Sequence, residues 1–264
     1  MGTMARASEP RKMRIVSLAP SVTSILLSLG VRRELVGVSR WCKDVAEVGS
    51  RTAVGDCWKM DVRAVMRLRP TILIGSVPFA AETVQKILAE PVAFLAINPR
   101  SLADIYNDIR ILGRAVGRGR AAERLIRKMR AGFVEVARRA RTLGGSRRRV
   151  RVYCEAWPKP RISSPPWVAE LVEMAGGEMI VDAGARVSDS EVALAAPELI
   201  VLAWAATGAR AKVATALQNP AWREVPAIRN ERVVVIRDEL LNTPGPPLVD
   251  GARELARAIR ESAC

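Results

Sequence analysis

The sequence predicts an α/β protein of two lobes with parallel sheets, joined by one long helix, with a ligand cleft between the lobes. Short apolar runs alternate with helical patterns over roughly the first hundred residues, one unbroken helical pattern follows, and a second alternating series ends the chain. A βαβα order needs crossover helices, and these cover both faces of a parallel sheet. On this reading residues 1–13 are a tail, 14–118 the first lobe, 119–145 the connecting helix and 146–264 the second lobe.

Residues 14–18, Arg-Ile-Val-Ser-Leu, read as a strand. Pro20 and Ser21 then open a helix that ends at Gly30, and residues 35–38 form a second strand. Asp61 caps a helix through Leu68, whose Val62, Val65 and Met66 recur at helical spacing before Pro70 stops it. Strands follow at 71–74 and 92–95, with a helix at 80–88 between them. Ser101 caps the next helix, with Asp104 in the capping-box position. From Gly119 to Leu143 the stripe of Leu125, Met129, Phe133 and Val136 marks one helix of roughly 37 Å at ~1.5 Å per residue. Gly144, Gly145 and Ser146 break it. The second series has strands at 149–153, 199–202 and 233–236. Its helices fall at about 168–175, 191–195, 209–217 and 248–260.

The 264 residues are 49% hydrophobic and 26% charged, a globular composition. No apolar run approaches the roughly 18–20 residues of a membrane span. Histidine is absent, which excludes histidine-dependent triads and histidine-ligated zinc. Cys42, Cys57, Cys154 and Cys264 form no CxxC pair and read as free or buried thiols. The net charge is +15, and nearly all of it lies between Arg110 and Arg151, where only Glu123 and Glu135 oppose fifteen cations. Such a block suits nucleic acid, an anionic membrane surface or an acidic partner. With neither interleaved aromatics nor a helix-turn-helix pattern, and with arginines on nearly every face, it reads instead as solubilising cover.

Ligands of open parallel sheets bind outside the carboxyl ends of the strands. The residues found there are Pro20 and Ser21, then Trp41 and Cys42, then Cys57 and Trp58 after Val54-Gly55. Val77 and Pro78, Glu155 and Trp157, and Trp204 follow, with Trp167 opening a helix nearby. Aromatics are 4% of the chain, yet four of its six tryptophans occupy these positions. Tryptophan offers a broad apolar face with one donor, so the set suits a large, partly flat ligand. There is no nucleophile elbow, P-loop or dinucleotide fingerprint. Glu155 is the best lone carboxylate, and Cys42 or Cys57 is a candidate nucleophile or metal-directed thiol, but the chain has no histidine to activate either. The loops are built to hold rather than to react.

Several of these segments resemble the helical-backbone (class III) solute-binding proteins of ABC transporters, most of all the cobalamin-binding branch. They are Arg14-Ile-Val-Ser-Leu-Ala-Pro-Ser-Val-Thr-Ser, Val36-Gly-Val-Ser-Arg-Trp-Cys, Val54-Gly-Asp-Cys-Trp-Lys-Met-Asp with Leu68-Arg-Pro-Thr-Ile-Leu-Ile, Glu155-Ala-Trp-Pro, Pro166-Trp-Val-Ala-Glu-Leu and Pro197-Glu-Leu-Ile-Val-Leu, in order over residues 14–260. The resemblance implies two Rossmann-like lobes bridged by a rigid helix. It implies a monomer that is no enzyme, needs no catalytic cofactor and no metal of its own, and captures cobalamin or a related corrinoid for an ABC permease. Trp41, Trp58 and Trp157 fall where the family sets aromatics against ligand. Trp204 and the loop with Asn242, Pro244 and Gly245 close the second-lobe wall. Ser24 replaces a glutamate usual in the family, and Arg63 stands where relatives that dock on a permease carry a carboxylate, while Glu191 lies near the second such position. An extracytoplasmic location follows from the resemblance; residues 1–10 show no export-signal core, which leaves the cytoplasm open. Ferric-siderophore or haem binding on the same fold is the alternative, then an enzyme, then a polyanion binder; no nucleic-acid partner is expected, and membrane contact only through the permease.

Overall fold

A computed structural model describes residues 12–55, 60–144, 148–207 and 210–263. Cys57, Trp58, Cys264 and the tail before Lys12 lie outside the described residues. The chain divides into two compact units, residues 1–98 and 99–264.

The first unit holds one five-stranded, all-parallel sheet in the order β3-β2-β1-β4-β5. Its strands are β1 (Ile15–Ser17), β2 (Leu35–Val38), β3 (Thr52–Ala53), β4 (Ile72–Ser76) and β5 (Ala93–Ile97). Central β1 and β4 are continuous apolar runs because helices cover both faces, and Ile15, Val16, Leu73 and Ile74 are fully buried. The helices are α1 (Pro20–Ser28), α2 (Val62–Arg67) and α3 (Ala81–Leu88). Pro20 starts α1, where its missing N–H costs no bond. Asp61 caps α2 by accepting from Ala64 N at 3.1 Å, as expected. Gly75 lets Phe79 fold back over β4, since a Cβ there would stand 2.3 Å from the ring. Phe79 thereby meets Phe94 edge-to-face at 5.6 Å.

The second unit begins with α4 (Leu102–Ala115) and α5 (Gly119–Gly144), which pack on each other. Ser101 accepts from Asp104 N at 3.1 Å, and the Asp104 carboxylate accepts from Arg100 N at 2.9 Å, which ties off the start of α4. The sequence expectation set α5 apart as a connector; it packs on α4, α6 and α11 within this unit. The sheet runs β10-β9-β6-β7, with β8 also on β6. Its strands are β6 (Val150–Pro158), β7 (Arg161–Ser163), β8 (Gly177–Met179), β9 (Leu199–Leu202) and β10 (Val233–Val235).

This sheet is not wholly parallel. The first half of β6 pairs parallel with β8, and its second half pairs antiparallel with β7. The expectation of parallel strands alone missed this hairpin because Glu155-Ala-Trp-Pro carries no strand period, so β6 was expected to end at Tyr153. The remaining helices are α6 (Pro166–Met174), α7 (Asp189–Ala195), α8 (Val213–Leu217), α9 (Pro226–Arg229), α10 (Asp238–Leu241) and α11 (Leu248–Ser262). Ser188 and Glu191 form a reciprocal capping box at α7. Helix α8 is shorter than the expected 209–217. Helices α9 and α10 have four residues each, too few to show a helical period. Tyr153, Ile200, Leu202, Trp222 and Val233 form one core layer. Val152, Cys154, Leu199 and Val201, which alternate with them, are fully buried on the other face, where α11 packs on β6 and β9 and α6 packs on β8.

Candidate functional site

Because the first sheet is all-parallel, its carboxyl-end loops gather on one edge. The order places β1 between strands reached in opposite directions, so the crevice beside β1 is where a ligand would meet the sheet. Pro20 is half-buried at the start of α1, and Ser21 is buried. After β2 comes a 3₁₀ turn over Arg40–Asp44. Trp41 on that turn is 37% exposed, with the Arg40 guanidinium 5.3 Å from its ring centroid. Val77, 42% exposed, and Pro78 follow β4, joined by a cis peptide.

Cys42, expected beside them as a ligand contact, points inward. Its Sγ lies 3.0 Å from Thr23 Oγ1 and 3.1 Å from Ser39 Oγ, with no exposed surface. Burial raises this thiol above the ordinary value and outweighs those hydrogen bonds, so it stays protonated. Cys154 is likewise free and buried, pushed up to about 12.

In the second unit the matching edge carries Trp157, Trp204 and the segment after β10. Trp157 is 42% exposed, and its indole N–H donates to Lys159 O at 2.9 Å, which fixes the ring while leaving its face open. Trp204 and Trp167 are mostly covered. Trp204 donates to Glu155 Oε1 at 2.8 Å, and Trp167 to Leu241 O at 2.9 Å. Asn242 donates to Ala203 O at 2.7 Å and joins the loop after α10 to the end of β9. Its Oδ1 is buried with no partner among the described residues. Pro244 and Gly245 are buried behind it.

Glu155, expected to meet a ligand or to carry chemistry, has no exposed surface and holds neighbours in place. Its Oε2 accepts from Tyr153 Oη at 2.8 Å and pairs with the Arg161 guanidinium. Arg161 also donates from Nε to Asp189 Oδ1 at 2.8 Å, and its guanidinium stacks 4.3 Å from the Trp222 ring centroid. Trp222 meets Tyr153 edge-to-face at 6.1 Å and donates to Asp189 O at 3.0 Å. Sequence reasoning missed Arg161. Its partnership with Glu155 depends on an irregular antiparallel register between β6 and β7, which neither segment's pattern displays.

The carboxylate is therefore spent on Tyr153, Arg161 and Trp204, and the described thiols are protonated. Among the described residues no group of three or more His, Cys, Asp or Glu could hold a metal ion. What the first edge offers outward is the Trp41 indole and aliphatic Val77 beside exposed Arg40, Lys43 and Asp44, and the second edge offers the Trp157 indole beside exposed Lys159; indole faces of this kind suit stacking and burial.

The sequence pattern of the periplasmic binding protein family matches residues 15–240. The chain is 27% identical over 261 residues to an uncharacterized ABC transporter substrate-binding lipoprotein of Bacillus subtilis, covering 95% of this chain and 80% of that one. It is 23% identical over 260 residues to a vitamin B12-binding protein of Vibrio parahaemolyticus, covering 96% and 91%. Among solved structures, a periplasmic heme-binding protein of Roseiflexus superposes with a TM-score of 0.83 at 23% identity, over 96% of this chain and all of the other. With the fold matched from end to end and the family pattern spanning most of the sequence, the chain belongs to the periplasmic binding protein family.

Proposed function

We propose that the chain is an extracytoplasmic solute-binding protein that captures a corrinoid and delivers it to an ABC permease. The observation that carries this reading is the pair of exposed indoles, Trp41 and Trp157, each at the carboxyl end of a strand and each held by its own contact. A corrin ring is broad, mostly apolar and weakly charged, so it binds through such faces; Val77 and Pro78 add aliphatic surface. Trp58 belongs to the same set by its position in the sequence. The length-wide similarity to a vitamin B12-binding protein supports the same ligand class.

Haem is the second reading, favoured by the similarity to a heme-binding structure. Two properties of the chain count against it. Histidine is absent, and both tyrosines are buried: Tyr106 under Arg130, whose guanidinium lies 4.9 Å from its ring, and Tyr153 beside Glu155. Neither common imidazole nor phenolate ligation of haem iron is on offer, whereas a cobalamin brings its own lower axial base.

Each exposed indole, Trp41 in the first unit and Trp157 in the second, offers a face on which a corrin ring stacks, the Arg161–Glu155–Trp204 network holds the second unit's strand end in place, and no residue bonds the metal. The test is tryptophan quenching by cyanocobalamin, cobinamide, haemin and a ferric siderophore. Saturable quenching by the corrinoids, weakened at least tenfold in Trp41→Ala and Trp157→Ala, supports the reading. Tighter quenching by haemin or the siderophore overturns it.

A further inference from the structure

The arginines of α5 do not surround the helix. At 100° per residue, Arg120, Arg124, Arg127, Lys128 and Arg141 fall on the side opposite Ala122, Leu125, Ile126, Met129, Phe133 and Val136, which are buried. All five cations are exposed, and among the described residues no carboxylate pairs with them. Arg138 and Arg139 share Glu135, and Glu123 is turned to Arg110. The result is a cationic side that is dense over Arg120–Lys128, about 12 Å at ~1.5 Å per residue, and resumes at Arg138 and Arg141 about 15 Å beyond Lys128, with Glu135 and the exposed Val134 between. Against the expectation of arginines on nearly every face, these cations share one side, where the carboxylates among them, Glu123 and Glu135, are each turned to an arginine.

We infer that the cationic side of α5 rests on the anionic headgroups of a lipid bilayer. Cations gathered on one side of a straight helix meet a flat field of lipid phosphates without bending either surface. A convex arginine-bearing helix also fits the major groove of a duplex; the extracytoplasmic reading favours lipid over it, and single strands call for aromatic stacking, which this side lacks. Insertion is excluded, because the apolar face of α5 is already buried against α4, α6 and α11. Contact is therefore electrostatic apposition, reversible by salt. The inference rests on the extracytoplasmic reading above, which places the chain beside a membrane, and it adds a retention surface separate from the ligand loops.

The experiment is co-sedimentation with phosphatidylcholine vesicles, alone or with about three-tenths phosphatidylglycerol, at 50 and 200 mM salt. The expected result is binding only to the anionic vesicles, at least tenfold weaker at the higher salt. It should fall at least tenfold further when Arg120, Arg124, Arg127, Lys128 and Arg141 are all changed to Gln. The helical circular dichroism and corrinoid titration of that variant serve as controls and should stay as in the parent. Equal binding to neutral vesicles, undiminished binding by the Gln variant, or tighter binding to a 20-base-pair duplex than to anionic vesicles at 200 mM salt overturns the inference. Loss of corrinoid binding in the parent chain with vesicle binding intact removes the proposed ligand and leaves this surface standing.

Discussion

Replacing Glu155 by Gln keeps the side chain's size and leaves an oxygen for the Trp204 indole, but it removes a charge from a site with no exposed surface. The amide places a donor or a neutral oxygen against the Arg161 guanidinium, whose side chain is only 16% exposed. Breaking one partner of a buried ion pair costs ~3–5 kcal/mol, because the remaining charge stays desolvated. Asp189, 2.8 Å from Arg161, still offsets part of that charge, so the expected loss lies near the lower end, about 3 kcal/mol. For a unit of this size that is a drop in Tm of roughly 6–12 °C. Thermal and urea unfolding, followed by tryptophan fluorescence, read it directly. Two further variants separate the charge pair from the packing. Arg161→Met alone strands the carboxylate and should cost a similar amount, whereas Glu155→Leu with Arg161→Met should recover much of the loss, since buried pairs are replaceable by apolar groups. A Glu155→Gln protein within 1 kcal/mol of the parent, or a coupling energy near zero between the two sites, would refute the view that this carboxylate is a positioning group.

The other predictions concern single residues. Trp222→Ala should cost ~3–5 kcal/mol of stability through cavity formation, while Trp157→Ala should leave Tm unchanged, as paired thermal melts would show. Cys42 should resist maleimide at pH 8 in the folded protein and react only in denaturant, as read by peptide mass mapping; labelling of native Cys42 would contradict the protonated, buried thiol. Burial, helped by the charge of Asp104, raises the Asp108 carboxyl to about 6, and its Oδ2 has no partner among the described residues. A raised folded-state value favours the neutral form, so its contribution to stability is complete below about pH 4 and is lost as the pH rises through about 6. Asp108→Asn should remove that slope and gain about 1–2 kcal/mol at pH 7.5; an unchanged urea midpoint at that pH would contradict it.

The long elements were legible because burial imposes period. The stripe of Leu125, Met129, Phe133 and Val136 located α5, and the runs Ile15-Val16 and Ile72-Leu73-Ile74 located the central strands. Caps with a side-chain mechanism, Asp61 and Ser101, were also legible, since each needs only a residue three positions ahead. What was hidden depends on pairing between segments. The β6–β7 hairpin, Arg161 as the partner of Glu155 and the inward turn of Cys42 are set by register and packing, and residue type alone made Glu155 and Cys42 look available. The arginines of α5 were visible in number and the apolar stripe already marked their common side, but the turning of Glu123 to Arg110 and of Glu135 to Arg138 and Arg139 is set by packing and rotamer. Trp41 and Trp204 follow β2 and β9, where parallel topology sends the loops to one edge, whereas Trp157 lies in the last residues of β6 within its antiparallel hairpin with β7. Trp204 is nevertheless covered, and its indole is held by Glu155.

The central claim is that these strand-end loops bind a corrinoid and supply it no metal ligand. Competition calorimetry tests it most directly: the protein is titrated with cyanocobalamin, then with cyanocobalamin after saturation with haemin. The account predicts one site per chain with cyanocobalamin binding at least tenfold tighter than haemin, and an unshifted cobalamin absorption spectrum in the complex. No measurable heat with cyanocobalamin, or haemin that blocks the site and cannot be displaced, would contradict it.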